Sequence, residues 1–164
     1  MPYVEPVDRA TALFVTAGIW NQDVAENQRA LFPDGAGAVS WTPGLAGTAG
    51  NAAVTTTGRR YQFGAMAFVF ARMTITSPGA GFYFVTLPVA SSGVSVSAAE
   101  GSGQTVGSWT LRDDSGPSSR NGSVLLRAAD EIWFNQGPGS VTHQSPFLIA
   151  SGDVLSFQAS YPIA

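Results

Sequence analysis

The chain has 164 residues, 45% of them hydrophobic, and no cysteine. That is enough chain for one self-sufficient core, and it leaves no thiol for a disulfide framework or a thiolate metal site. Net charge is −3, charged residues are only 12%, and all eight basic residues are arginines scattered along the chain, so nucleic acid is not an expected partner.

No apolar run approaches the roughly 20 residues that cross a bilayer, so no membrane insertion is expected. The opening MPYVEPVDRA lacks a basic segment followed by an apolar one, so no signal peptide is expected either. A weakly charged surface on such a chain suggests that neighbours cover part of it.

In chain order, residues 1–15 read as an extended N-terminal arm, because Pro2 and Pro6 block regular pairing. Residues 16–35, TAGIWNQDVAENQRALFPDG, read as the single helix. Thr16 caps its start, Asp23 and Glu26 precede Arg29 as the helix dipole favours, and Pro33 and Gly35 end it. Trp20, Val24, Asn27 and Leu31 follow the seam spacing of a coiled coil, where one asparagine can fix register and oligomer state. A helix of about 16 residues is marginal alone. Its stripe therefore either docks on its own domain or forms a trimeric seam.

Residues 36–164 read as an antiparallel β-sandwich of jelly-roll type, with 19 glycines and 10 prolines in the whole chain punctuating β-rich runs. The expected strands are 39–42, 53–57, 61–76, 81–88, 94–98, 105–112, 123–128, 131–135, 141–144 and 154–161. Turn chemistry lies between them in SPGAG, EGSG, DDSG, GPG and ASGD.

The longest expected strand, Tyr61 to Thr76, is apolar on both faces. Tyr61, Phe63, Ala65, Ala67, Val69, Ala71, Met73 and Ile75 share one face by the two-residue period, and this face is assigned to the core. The opposite face carries Met66, Phe68 and Phe70, which a lone sandwich would leave wet. Covering three such side chains gains roughly 1.5–3 kcal/mol each. A neighbouring subunit is the favoured cover, and the helix or the arm of the same chain is the alternative.

Catalytic chemistry is sparse. His143 is the sole histidine and has no cysteine or histidine partner for a zinc site or a triad. Asp113–Asp114 and Asp130–Glu131 are adjacent in sequence, which on a strand places them on opposite faces. RDDSG and the aspartate of SGD, Asp153, read as turn residues bonding their own backbone. GSGQTVG lacks both the spacing and the following helix of a phosphate loop. No catalytic residue, metal site or cofactor is expected. Among the aromatics, Trp109 with Leu111 and Ile132 with Phe134 read as core. Trp133 lies on the opposite face by parity, so it is the candidate exposed ring for stacking on a sugar.

The order of these segments resembles a known family. VTAGIWNQDVAENQRALFPDG is similar to the N-terminal segment of actinobacteriophage minor tail and tail-fibre proteins. WTPGLAGTAGN, then Tyr61, Gly64, the following strand, the turn at 77–81 and Phe84, Leu87, Pro88 and Val89 resemble the module that follows it there. GSWTLRDDSG, NGSVLL and SPFLIASGDVLSFQASYPIA resemble its closing strands.

The resemblance implies a non-enzymatic virion structural protein, a homotrimer assembled in the host cytoplasm. Residues 1–35 would contact other virion proteins, and a host cell-envelope glycan is a candidate partner of the tip. A capsid decoration or short head-fibre protein is the alternative location, and a carbohydrate-binding module the alternative role. The chain departs from the family in carrying Met66, Phe68 and Phe70 where polar or arginine residues are usual.

Overall fold

A computed structural model describes residues 38–92, 103–137 and 139–163. The expected arm, the helix with Trp20, Val24, Asn27 and Leu31, and the expected strand at 94–98 lie outside the described residues.

Ten strands form among the described residues: β1 (Val39–Trp41), β2 (Ala46–Gly47), β3 (Ala53–Phe63), β4 (Met66–Ser77), β5 (Tyr83–Thr86), β6 (Gln104–Arg112), β7 (Ser119–Ala128), β8 (Glu131–Gln136), β9 (Gly139–Ser140) and β10 (Val154–Pro162). Their pairings are antiparallel and run in the order β1-β3-β4-β10-β6-β7-β8-β5-β2, with β9 beside β8. The described part of the chain is thus all-β, an antiparallel sheet in one continuous hydrogen-bonded path.

The sheet must curl. Laid flat, nine strands would set the outermost two roughly 38 Å apart. Yet β1 and β2, at opposite ends of the path, are joined by residues 42–45, a link that reaches at most roughly 18 Å. Phe134 on β8 and Phe157 on β10 lie three strands apart along the path, and their ring centroids are 5.4 Å apart. Curling brings the inner faces of distant strands together over one core, which includes Val69, Met73, Trp109, Leu126, Phe134 and Tyr161. Each such side chain gains roughly 1.5–3 kcal/mol on burial.

Two details hold the curl. Trp109 faces Gly122 across the β6–β7 ladder, and its Nε1 donates to the Asn135 carbonyl at 2.9 Å. A Cβ on Gly122 would stand 2.8 Å from that nitrogen and would also meet the Asn135 oxygen, so the close approach requires glycine. At the start of β10, the buried Asp153 accepts the Asp114 N–H and the Ala150 N–H, each at 2.9 Å. One carboxylate therefore ties the β6–β7 turn to the loop before β10.

The expected strand 61–76 is corrected. It is the far end of one hairpin arm and the whole of the other, because the chain reverses at Gly64 and Ala65. Gly64 has φ 55°, the left-handed conformation that a two-residue hairpin turn demands. Phe63 pairs with Met66 and Tyr61 with Phe68. Residues directly opposite share a face, so the turn exchanges the parity of the two arms. Ala67, Val69, Ala71, Met73 and Ile75 face the core, as the alternation requires. Tyr61 and Phe63 do not: they join Met66, Phe68 and Phe70 on the outer face.

Candidate functional site

The outer face of the β3–β4 hairpin is the most apolar exposed surface among the described residues. Phe63 is 50% exposed, Tyr61 43%, Phe70 43% and Phe68 37%, with Met66 half-buried beside them. Tyr61 meets Phe70 edge-on, with centroids 6.1 Å apart and planes at 89°. This is a favoured aromatic geometry, so these two rings present one surface rather than separate side chains. Only Met66, Phe68 and Phe70 were legible as this face. Tyr61 and Phe63 join it because the chain reverses at Gly64, a turn that the unbroken apolar alternation conceals.

Away from the hairpin tip the outer face becomes polar and mostly uncharged. The register aligns Ser40, Arg59, Phe70, Gln158, Ser108 and Ser123 in one row across β1, β3, β4, β10, β6 and β7. Gln158 Nε2 reaches Ser108 Oγ at 3.5 Å, and Arg59 Nη1 reaches Ser40 Oγ at 3.4 Å, both long contacts. Three shallow depressions border the Phe70 ring: ≈ 250 Å³ towards Phe68 and Ser160, ≈ 290 Å³ towards Ser108 and Thr110, and ≈ 400 Å³ towards Arg59 and Arg72.

Trp133 lies on β8, half-buried, and its ring is engaged within the chain. Phe84 stacks on it at 5.3 Å with planes 13° apart, and the Arg127 guanidinium carbon lies 3.9 Å from its centroid. Its Nε1 donates to Glu131 Oε2 at 3.4 Å. A sugar stacking there would compete with these partners.

The remaining polar residues singled out in the sequence have local structural partners. His143 Nδ1 accepts the Gly81 N–H at 3.1 Å, which pins the 142–145 turn to the start of the β5 segment. Asp113 Oδ1 accepts both the Ser115 N–H at 2.9 Å and its hydroxyl at 2.7 Å, a closed turn. Asp114 pairs with Arg112 at 3.2 Å, both well exposed. Among the described residues no group of three or more His, Asp or Glu side chains is placed to hold a metal ion, and no helix is long and apolar enough to cross a membrane.

Two tyrosines among the described residues are perturbed. Burial pushes the Tyr161 hydroxyl up to about 12, against lesser lowering by the nearby Val89 backbone and by the Arg60 charge. Burial also raises Tyr83, whose oxygen accepts the Gly79 N–H at 3.2 Å. Both sit in the core, away from the outer face.

Comparison with protein-family models, with curated protein sequences and with solved structures returns no match.

Proposed function

We propose that the chain is a non-enzymatic structural protein of a bacteriophage particle, a trimeric tail-fibre or minor tail appendage that contributes to host-surface attachment. The observation that carries this reading is the exposed ring surface of the β3–β4 hairpin, Tyr61, Phe68 and Phe70 with Met66. An apolar surface of this kind ordinarily marks an interface. It is supported by the order of motifs that resembles phage tail proteins. In this reading the curled sheet is a jelly-roll sandwich tip. Residues 1–35, which lie outside the described residues, are on the same reading the part that contacts other virion proteins. Met66, Phe68 and Tyr61 make the subunit contact at the hairpin end.

A carbohydrate-binding role for the tip is favoured by the rest of the outer face. There, hydroxyl and amide side chains surround a ring, the two kinds of group that recognise sugars.

The test of location is direct. Particles would be purified on a density gradient from the host that produces this chain, then analysed by mass spectrometry and labelled with antibody for electron microscopy. The chain is expected in the particle band and on the tail. A chain confined to the soluble cell fraction would end the structural reading, and label on the head shell would move it to capsid decoration.

A further inference from the structure

The outer face holds a pair of charges that the scattered arginines of the sequence do not reveal. Six arginines lie in strands: Arg59, Arg60, Arg72, Arg112, Arg120 and Arg127. By contrast β1, β3, β4, β10 and β6 contain no aspartate or glutamate. Arg59 and Arg72 are both exposed on the outer face, and neither has a carboxylate partner among the described residues.

The register places Arg59 opposite Phe70 and Arg72 opposite Thr57, so the two arginines are diagonal neighbours. Diagonal positions on one face lie roughly 7–8 Å apart, within reach of one anion for two long guanidinium side chains. Thr57, Arg59, Phe70 and Arg72 line the same ≈ 400 Å³ depression. Across the Phe70 ring stand the Gln158 amide and the Ser108 hydroxyl. The cleft thus has a flat apolar ring at its centre, two cations on one side and neutral hydrogen-bonding groups on the other.

We propose that this cleft binds an acidic sugar, a uronic-acid unit of a polysaccharide. The pyranose face lies on Phe70, the carboxylate sits between Arg59 and Arg72, and ring hydroxyls meet Thr57, Gln158 and Ser108. Guanidinium forks match a planar carboxylate with paired hydrogen bonds. A uronic acid carries that carboxylate on the ring that stacks, which suits a ring and two cations side by side. A neutral sugar would leave the two cations unanswered, and a poly(glycerol phosphate) chain would offer charge but no ring. A second copy of this face is a poor occupant at this end, since it brings more arginines and no strand carboxylate to pair them. Buried unpaired charge is costly.

The proposal deepens the attachment reading and rests on it for its biological role. The binding itself is measured on the isolated full chain, so its failure would leave the particle location standing. Calorimetric titrations would use tetragalacturonate, a neutral galactan oligomer and poly(glycerol phosphate). Tetragalacturonate is expected to bind, and to bind several-fold more weakly when salt rises from about 0.05 to about 0.5 M. R59Q, R72Q and F70A are each expected to lower its affinity by about 10-fold or more. The two arginine variants should keep the wild-type melting temperature, since both side chains are exposed, whereas F70A also loses the packing of its ring on Tyr61 and should melt lower. The proposal is overturned by no tetragalacturonate binding at about 1 mM. Equal affinity for the neutral oligomer or for poly(glycerol phosphate), or wild-type affinity in the arginine variants, would overturn it equally.

Discussion

Phe68→Arg is the most informative single change for the subunit contact. Phe68 is 37% exposed on the outer face of β4, opposite Tyr61. Taking roughly 200 Å² for an aromatic side chain, on the order of 75 Å² remains to be covered. At about 25 cal/mol per Å² that is about 2 kcal/mol per copy. Three copies give about 6 kcal/mol, roughly 10⁴-fold in the trimer association constant. Arginine would add an unpaired charge to the contact and increase the loss. The fold itself covers the other ~125 Å² of the ring, about 3 kcal/mol on the same scale, part of which the arginine stem restores, so the isolated fold should lose about 1–2 kcal/mol and stay folded. Sedimentation velocity and multi-angle light scattering across the micromolar range read the outcome. Wild type is expected as a trimer, Phe68→Arg as a folded monomer, and Phe68→Leu close to wild type. A wild-type monomer throughout that range, or a Phe68→Arg trimer of undiminished affinity, would refute the argument from the exposed rings.

Three further outcomes follow from the interior. Asp153→Ala removes the acceptor of two backbone N–H groups in a buried site, so a loss of about 3 kcal/mol and a fall of about 6–12 °C in Tm are expected by calorimetry. Gly122→Ala forces a methyl against the Trp109 indole and the Asn135 carbonyl. It should cost about 1–3 kcal/mol of unfolding free energy, read from the fall in denaturant midpoint, with a shift of tryptophan emission. Tyr161 ionises near 12 in the fold and near 10 when unfolded. The folded state therefore holds the proton that the unfolded chain loses, and stability present below pH 10 declines as pH rises towards 12. Tyr83 is raised in the same sense, so Tyr161→Phe should flatten only part of that decline in denaturation curves taken from pH 9 to 12.

The core was legible wherever one period ran unbroken. Alternation from Ala67 to Ile75 placed five residues inside, and Trp109, Leu111, Ile132 and Phe134 were assigned to the core on the same ground. Alternation failed at Gly64–Ala65. FGAM lacks the Asn-Gly or Asp-Gly pair that announces a two-residue turn, and the apolar period resumes directly after it. Reading through the turn reverses every β3 side chain. Tyr61 and Phe63 then fall inside, and Arg60 rather than Arg59 falls on the face of Arg72. The arginine cleft was invisible for that reason: it depends on register between strands, which no single run encodes. The structural role of Asp153 was hidden similarly, since one of its partners is Asp114, distant along the chain.

The two ends of the outer face should answer salt in opposite senses. At the hairpin tip the contact rests on rings with no charge among them, so added salt should leave association unchanged or strengthen it. Two residues along β4, the arginine cleft should lose affinity as ionic strength rises, because exposed guanidinium–carboxylate contacts are screened within a Debye length. Phe70 belongs to both ends, touching Tyr61 on one side and lining the depression of Arg59 and Arg72 on the other. If a second copy covered Phe70, sugar and trimer would compete, and titrating tetragalacturonate would dissociate the assembly. If the contact stops at Tyr61 and Phe68, both occupy the face together and the trimer survives saturation. Light scattering at saturating tetragalacturonate, repeated at low and high salt, separates the two arrangements, and the absence of carboxylate from the five strands around Phe70 predicts the second.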